Sequence, residues 1–230
     1  MTDCPADHGD QRVWHVVGDS HVAAIDHAAK AGWLSRRCRF TEVPGATAVG
    51  MRNPNSLTHA LEIFSRSLLP PRPGTIPLIQ LGEVDCGFVI WWRAKTYAET
   101  IEHQLRESVC AYLSFVDRLL GAGHSDVVIT GAALPTIRDG TVWGDIANFR
   151  KEVDATLKDR TALTIEYNDR LRSGAAQRQC AFIDLTSDLL DPDTGVISEY
   201  YRNEDPSDHH MHPERVGKLW AYHLNSLSGR

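Results

Sequence analysis

The stretch Val13-Trp14-His15-Val16-Val17-Gly18-Asp19-Ser20-His21 decides how this chain is read. A short apolar run stops abruptly at a Gly-Asp pair. Val22, Ala23, Ile25, Ala28 and Ala29 then recur at helical spacing as far as Trp33. An uninterrupted apolar run of this length, bounded by turn residues, suits a buried strand, and the three-to-four-residue spacing after it suits a helix. The opening is therefore strand, tight turn, helix, with Ser20 on the turn.

The same alternation repeats outward. Cys38 to Val43 reads as a second strand, and Pro44 to Asn55, rich in Gly, Pro and Asn, as a loop. Ser56 is a candidate cap for a helix carrying Leu57, Leu61, Ile63, Phe64 and Leu68, which Pro70-Pro71-Arg72-Pro73-Gly74 ends. Ile76 to Leu81 is a third strand, followed by Gly82-Glu83-Val84-Asp85. Ile101, Leu105, Val109, Tyr112, Leu113, Val116 and Leu120 mark a helix from about Tyr97 to Leu120. Asp126 to Thr130 is a fourth strand, Gly131 to Asp145 a loop, and Asp145 to Arg178 helical with a break near Asp159. Cys180 to Leu185 is a fifth strand, and a last helix runs from Pro213 to Leu227. Short apolar strands alternating with helices predict an α/β fold: a three-layer α/β/α sandwich around a five-stranded parallel sheet. Residues 1–10 read as a loose tail and 11–230 as one domain, with no repeat or linker inside it.

Composition excludes several classes. The chain has 230 residues, 42% hydrophobic and 23% charged, with a formal net charge of -6. That acidic balance lacks the basic excess of a phosphate-binding nucleic-acid partner. No apolar run approaches the roughly 18 residues of a membrane span. The five cysteines are odd in number, widely spaced and without a CxxC pair, which argues against a disulfide framework or a zinc ribbon. The polar start Met1-Thr2-Asp3-Cys4-Pro5 lacks the features of a signal peptide. The expectation is a cytoplasmic protein with reduced thiols, no nucleic-acid partner and no membrane partner. Its oligomeric state stays open.

In an open parallel sheet, ligands collect beyond the carboxyl ends of the strands. Those ends carry Gly18-Asp19-Ser20-His21, Pro44-Gly45-Ala46-Thr47 and Gly82-Glu83-Val84-Asp85. Asp205, Asp208, His209, His210 and His212 crowd between the last strand and the last helix, where they can reach the same edge. A serine between strand and helix is either an ordinary cap or a nucleophile. As a nucleophile it needs an imidazole to take its proton and a carboxylate to orient that imidazole, and the His-rich segment offers both. The same histidines could alternatively ligate a metal, although no complete ligand set stands at a recognisable spacing.

Taken in order, these four segments resemble the sequence blocks of the SGNH (GDSL-type) hydrolase superfamily. Gly18-Asp19-Ser20-His21 resembles its Gly-Asp-Ser-Leu block, and Pro44-Gly45-Ala46-Thr47 the block whose Gly donates an oxyanion-hole N–H. Gly82-Glu83-Val84-Asp85 resembles Gly-x-Asn-Asp, and Asp205 to Gly217 the final Asp/His block. The Gly-Asp-Ser-His and Gly-Glu-Val-Asp forms look like a divergent branch. The resemblance implies an esterase or deacylase acting on a small-molecule or carbohydrate acyl ester, without cofactor or metal. Ser20 would be the nucleophile, His210 the base and Asp208 the orienting acid, with His212 or His209 as the alternative base and Asp205 as the alternative acid. Gly45, Glu83 and Asp85 would serve the oxyanion or substrate site, or brace its loop. Two features depart from the family. Val84 replaces an Asn that donates to the oxyanion, and no Asp-x-x-His spacing exists. Acyl transfer, metal-dependent chemistry or noncatalytic binding are the alternatives these departures leave. Trp91-Trp92-Arg93 reads as scaffold or pocket wall, and Asn53-Pro54-Asn55 as a brace.

Overall fold

All five short apolar runs become strands, and all pair in parallel. β1 (Val13–Gly18), β2 (Cys38–Glu42), β3 (Thr75–Gln80), β4 (Val128–Thr130) and β5 (Ala181–Ile183) stand in the order β2-β1-β3-β4-β5. Val16 of β1 lies opposite Phe40 on one side and Leu78 on the other. Parallel neighbours need crossover connections, so helices cover both faces of the sheet. This is the expected three-layer α/β/α sandwich. The computed structural model describes residues 12–140 and 153–228. The tail expected at 1–10 and the helical reading of residues 145–152 lie outside them.

The helices are α1 (Ala23–Lys30), α2 (Ala60–Leu68), α3 (Ile90–Tyr97), α4 (Ile101–Gly121), α5 (Leu157–Gln177), the single turn α6 (Thr186–Leu189) and α7 (Pro213–Ser228). Successive strand residues point to opposite faces, and this splits β1 between two cores. Trp14 and Val16 pack with Ile25 of α1 and with Trp220 and Leu224 of α7. Val17 packs on the other face with Phe64 of α2, Phe115 of α4 and Tyr167 of α5. Val16, Val17, Leu78 and Ile79 are fully buried. Each such side chain contributes roughly 1.5–3 kcal/mol of transfer free energy. Burial on both faces is why these strands read as continuous rather than alternating apolar runs.

Several element boundaries differ from the sequence expectation for local reasons. Ser56 does not cap a helix. Its N–H bonds back to the Asn53 carbonyl, the His59 N–H bonds to the Ser56 carbonyl, and α2 starts only after His59, which sits at φ 51°. Leu57, expected on the buried face of that helix, is exposed instead. α4 starts at Ile101 because the Thr100 hydroxyl accepts the His103 N–H at 3.0 Å. The feature near Asp159 is a helix start rather than a break: Thr156 and Asp159 form a reciprocal capping box. After β3 the chain makes an unforeseen π-helical turn, Asp85–Val89, that runs directly into α3. Gly82 begins that segment at φ 118°, and a Cβ there would lie 2.7 Å from Tyr167 Cε1 and 2.9 Å from Ala132 Cβ. Only glycine meets both demands. The four described cysteines, Cys38, Cys86, Cys110 and Cys180, are free thiols.

Candidate active site

β1 lies between β2 and β3, so the segments leaving those three strands converge at one sheet edge. Ser20 opens a 3-10 turn (Ser20–Val22) that feeds α1. Asp19 caps this turn: its Oδ1 accepts the His21 N–H at 2.9 Å and lies 3.0 Å from His21 Nδ1. The Asp19 N–H bonds to the Gln80 carbonyl of β3 at 3.3 Å, which ties the turn to the neighbouring strand. The serine thus stands at a strand-helix junction held from both sides.

The His-rich segment reaches the same place. His210 Nε2 is 2.8 Å from Ser20 Oγ, and His210 Nδ1 is 2.6 Å from Asp208 Oδ1. The same Asp208 oxygen accepts the backbone N–H of His210 at 2.8 Å. This tight turn lets an aspartate two residues before the histidine orient it, in place of the expected Asp-x-x-His spacing. Burial pushes the Asp208 carboxyl upward, but the hydrogen bonds from the His210 backbone and ring outweigh it and leave the group below the usual carboxylate range. The second oxygen, Asp208 Oδ2, accepts from Asn203 Nδ2 at 2.8 Å. Nothing local in the sequence marks Asn203, an amide five residues upstream, as that partner.

The rival residues point elsewhere. Asp205 folds onto its own turn, accepting the Ser207 N–H at 2.8 Å and the Ser207 hydroxyl at 2.6 Å. His212 Nδ1 lies 3.4 Å from the Arg215 N–H, and its Nε2 lies 3.5 Å from Glu204. His209 stacks on His210 with ring centroids 4.0 Å apart, while its carbonyl accepts from the Thr136 hydroxyl. The His21 ring is 5.0 Å from that of His210. Donor atoms of Asp208, His209 and His210 lie within 4.8 Å of one another, a spacing a cation could use. Both ring nitrogens of His210 are already engaged by Ser20 and Asp208, so a metal there would have to displace one of them.

The third segment is expected either to face the site or to brace its loop. Asp85 is completely buried, and its carboxylate accepts the Ala48 N–H at 2.7 Å, the Val49 N–H at 2.9 Å and the Ser108 hydroxyl at 2.7 Å. Of the two roles expected of Asp85, its contacts are those of a brace: both oxygens hold the loop that carries Gly45. Burial raises its pKa, opposed by those three hydrogen bonds. Glu83 is also buried, with Oε2 3.9 Å from His21 Nε2. Gly45 sits at φ 70°, a conformation glycine adopts freely. Cys86 is fully buried, and burial holds its thiol well above the ordinary range, which is no setting for a nucleophile.

Two recesses open near this edge. A small one of about 140 Å³ is lined by Ser20, Asn203, Asp208, His210 and Met211. A larger cleft of about 760 Å³ lies between the segments leaving β2 and β3, with Thr47, Arg52, Asn53, Phe88, Trp92 and Arg93 in its wall. Ser20 does not line the larger cleft; the two share only the strand-end edge. The Trp91-Trp92-Arg93 run divides between the two roles considered for it. Trp91 packs against the core and donates Nε1–H to the Cys86 carbonyl at 2.8 Å, while Trp92 and Arg93 face the cleft.

No protein-family model matches this sequence, and no curated protein matches it. Solved structures do. A GDSL-like lipase from Bacteroides thetaiotaomicron aligns over 96% of this chain and 88% of its own, at a TM-score of 0.61 and 14% identity. An aryl esterase from M. smegmatis aligns over 94% and 99%, at a TM-score of 0.58 and 12% identity. A carbohydrate acetylesterase from Sinorhizobium meliloti aligns over 94% and 99%, at a TM-score of 0.56 and 12% identity. Across nearly its full length, this chain has the fold on which those esterases and lipases are built.

Proposed function

We propose that this chain is a serine acyl hydrolase of the SGNH (GDSL-type) superfamily, in a divergent branch, acting on an acyl ester of a small molecule or carbohydrate. The observation that carries this reading is the unbroken hydrogen-bonded line Ser20 Oγ, His210 Nε2, His210 Nδ1, Asp208 Oδ1, with steps of 2.8 and 2.6 Å. That is the geometry a weak hydroxyl nucleophile needs. The likeness to solved esterases supports it at the level of the fold.

In this mechanism Ser20 Oγ attacks the ester carbonyl carbon while His210 Nε2 takes the hydroxyl proton. Asp208 fixes the imidazole tautomer and stabilises the imidazolium that forms. The tetrahedral oxyanion is held by the backbone N–H groups of Ser20 and Gly45. Collapse breaks the carbon–oxygen bond, and His210 returns its proton to the departing alcohol. Water, deprotonated by His210 in turn, attacks the acyl-serine, and Ser20 leaves as the free hydroxyl. Val84 offers no side-chain donor to the oxyanion. A missing donor of this kind costs about 2.7–4 kcal/mol of transition-state stabilisation, so slow turnover is expected.

The test compares wild type with S20A on short-chain acyl esters and on a fluorophosphonate probe. The expected outcome is labelling of the wild type only, with kcat for S20A lower by up to about 10⁶. Equal turnover of both proteins would rule Ser20 out as the nucleophile.

A further inference from the structure

The larger cleft has a chemical character that narrows the substrate. Its wall holds two arginines and no carboxylate, in a chain whose formal net charge is -6. The two arginines are not equivalent. Arg52 is paired with Glu107. Arg93 donates Nε–H to the neutral Oε1 of Gln104 at 2.7 Å, and its guanidinium lies over the Tyr97 ring, 4.9 Å from the centroid. Among the described residues no carboxylate lies within ion-pair distance of Arg93. Gln104 is itself buried and gives its amide hydrogen to Glu99, so Arg93 is held from behind by a fixed partner.

A guanidinium pinned at Nε keeps its two terminal nitrogens as a ready fork for a carboxylate or phosphate. The rest of the wall suits a flat or ring-shaped body. Trp92 and Phe88 stand side by side with ring centroids 6.4 Å apart, and Asn53 and Thr47 add polar groups. A volume of about 760 Å³ falls within the range of small-molecule pockets. Thr47 and Asn53 leave β2, whereas Phe88, Trp92 and Arg93 follow β3. These strands flank β1 on either side, so a substrate seated in the cleft would extend toward the strand end that carries Ser20.

We infer that Arg93 reads a negative charge on the substrate: the ester carries an anionic oxygen group, carboxylate or phosphate, attached to a ring that rests against Trp92 and Phe88. This rests on the serine-hydrolase reading above and adds a substrate class to it. Arg93 is a specificity residue and takes no part in the bond-breaking steps.

The experiment measures a charge preference, the ratio of kcat/KM for an anionic ester to that for its neutral counterpart. One arm places the charge on the alcohol side, comparing 4-acetoxybenzoate with its methyl ester. The other places it on the acyl side, comparing mono(4-nitrophenyl) terephthalate with 4-nitrophenyl 4-methylbenzoate. Wild type is expected to prefer the anion by about tenfold or more in one arm, and the preference should shrink as salt rises from about 0.05 to about 0.5 M. R93Q should bring the ratio near one, and R93K should keep part of it. A ratio near one for wild type in both arms overturns the inference, and so does a ratio that R93Q leaves unchanged. Calorimetric titration of S20A with 4-acetoxybenzoate and with mono(4-nitrophenyl) terephthalate separates the two readings. Anion binding that R93Q abolishes in the S20A background upholds the anion site even if Ser20 proves not to be the nucleophile. Failure of both anions to bind S20A overturns the site alone.

Discussion

Asp208 holds His210 twice through a single oxygen: Oδ1 accepts the His210 backbone N–H at 2.8 Å and stands 2.6 Å from the ring nitrogen Nδ1. The backbone bond fixes where the histidine begins, and the ring bond fixes where its other nitrogen points, toward Ser20. One short turn thus performs the positioning that a longer Asp-to-His spacing performs elsewhere.

An asparagine at this place can still accept the backbone N–H but cannot favour the tautomer that leaves Nε2 free to take a proton. D208N is therefore expected to lower kcat by about 10⁴ with little change in KM or melting temperature. D205N, altered in a carboxylate that binds only its own turn, should stay within about twofold of wild type. Steady-state kinetics on one short ester decides both, and equal losses in the two variants would contradict the assignment.

In the proposed alignment with the SGNH blocks, Val84 takes the position of an Asn that donates to the oxyanion. V84N is expected to raise kcat/KM for a short acyl ester by about tenfold or more, toward the 10²–10³ that one such donor is worth. An unchanged or lower value would mean that another group already supplies the missing hydrogen bond.

Asp85 is the acceptor for two backbone N–H groups of the Gly45 loop and for Ser108. D85A leaves the Ala48 and Val49 N–H groups buried without partners, at about 1–3 kcal/mol each, while the Ser108 hydroxyl keeps Tyr167 at 3.4 Å. The expected result is a loss of roughly 2–5 kcal/mol in urea unfolding, together with slower turnover because the Gly45 N–H is no longer held in place. A stability loss below about 0.5 kcal/mol would show that the loop is braced some other way.

His15 carries a pH signature in stability rather than in catalysis. It is buried on β1 with Nε2 2.9 Å from the Thr41 hydroxyl. Burial, with the Arg39 and Arg72 charges adding to it, lowers its pKa to about 4. The unfolded chain binds this proton near pH 6.5, whereas the folded chain resists it until about pH 4. Its stabilising contribution is complete above pH 6.5 and is lost as pH falls through that window, by up to about 3 kcal/mol. Urea melts between pH 7 and 4 on wild type and H15Q measure this: the variant should show a shallower decline. Parallel curves would rule out His15 as the source.

Much of the layout was legible from sequence because it rests on short-range patterning. Apolar runs such as Val13–Val17 and Ile76–Leu81 are buried on both faces, so they stand out without tertiary information, and Gly18-Asp19-Ser20 marks the turn that presents a hydroxyl. Ser56 shows the limit of that approach. Its spacing from Leu61 and Phe64 fits a cap, but backbone hydrogen bonds between Asn53 and His59 delay the helix to Ala60.

The strand-helix alternation, the parallel sheet it requires and the serine at the first strand end are all legible without the fold, since each depends on residues adjacent in the chain. Which histidine meets that serine is legible only in the folded chain. His209, His210 and His212 lie within four residues and are chemically alike. Their directions depend on a distant contact and a nearby one: Thr136, tied to the segment by Arg202, holds the His209 carbonyl, and Asn203 anchors Asp208. Which of its two expected roles Asp85 fills was likewise out of reach, because its partners Ala48, Val49 and Ser108 lie 37, 36 and 23 residues away. Buried carboxylates take their function from the donors the fold delivers to them, and no local pattern encodes that delivery.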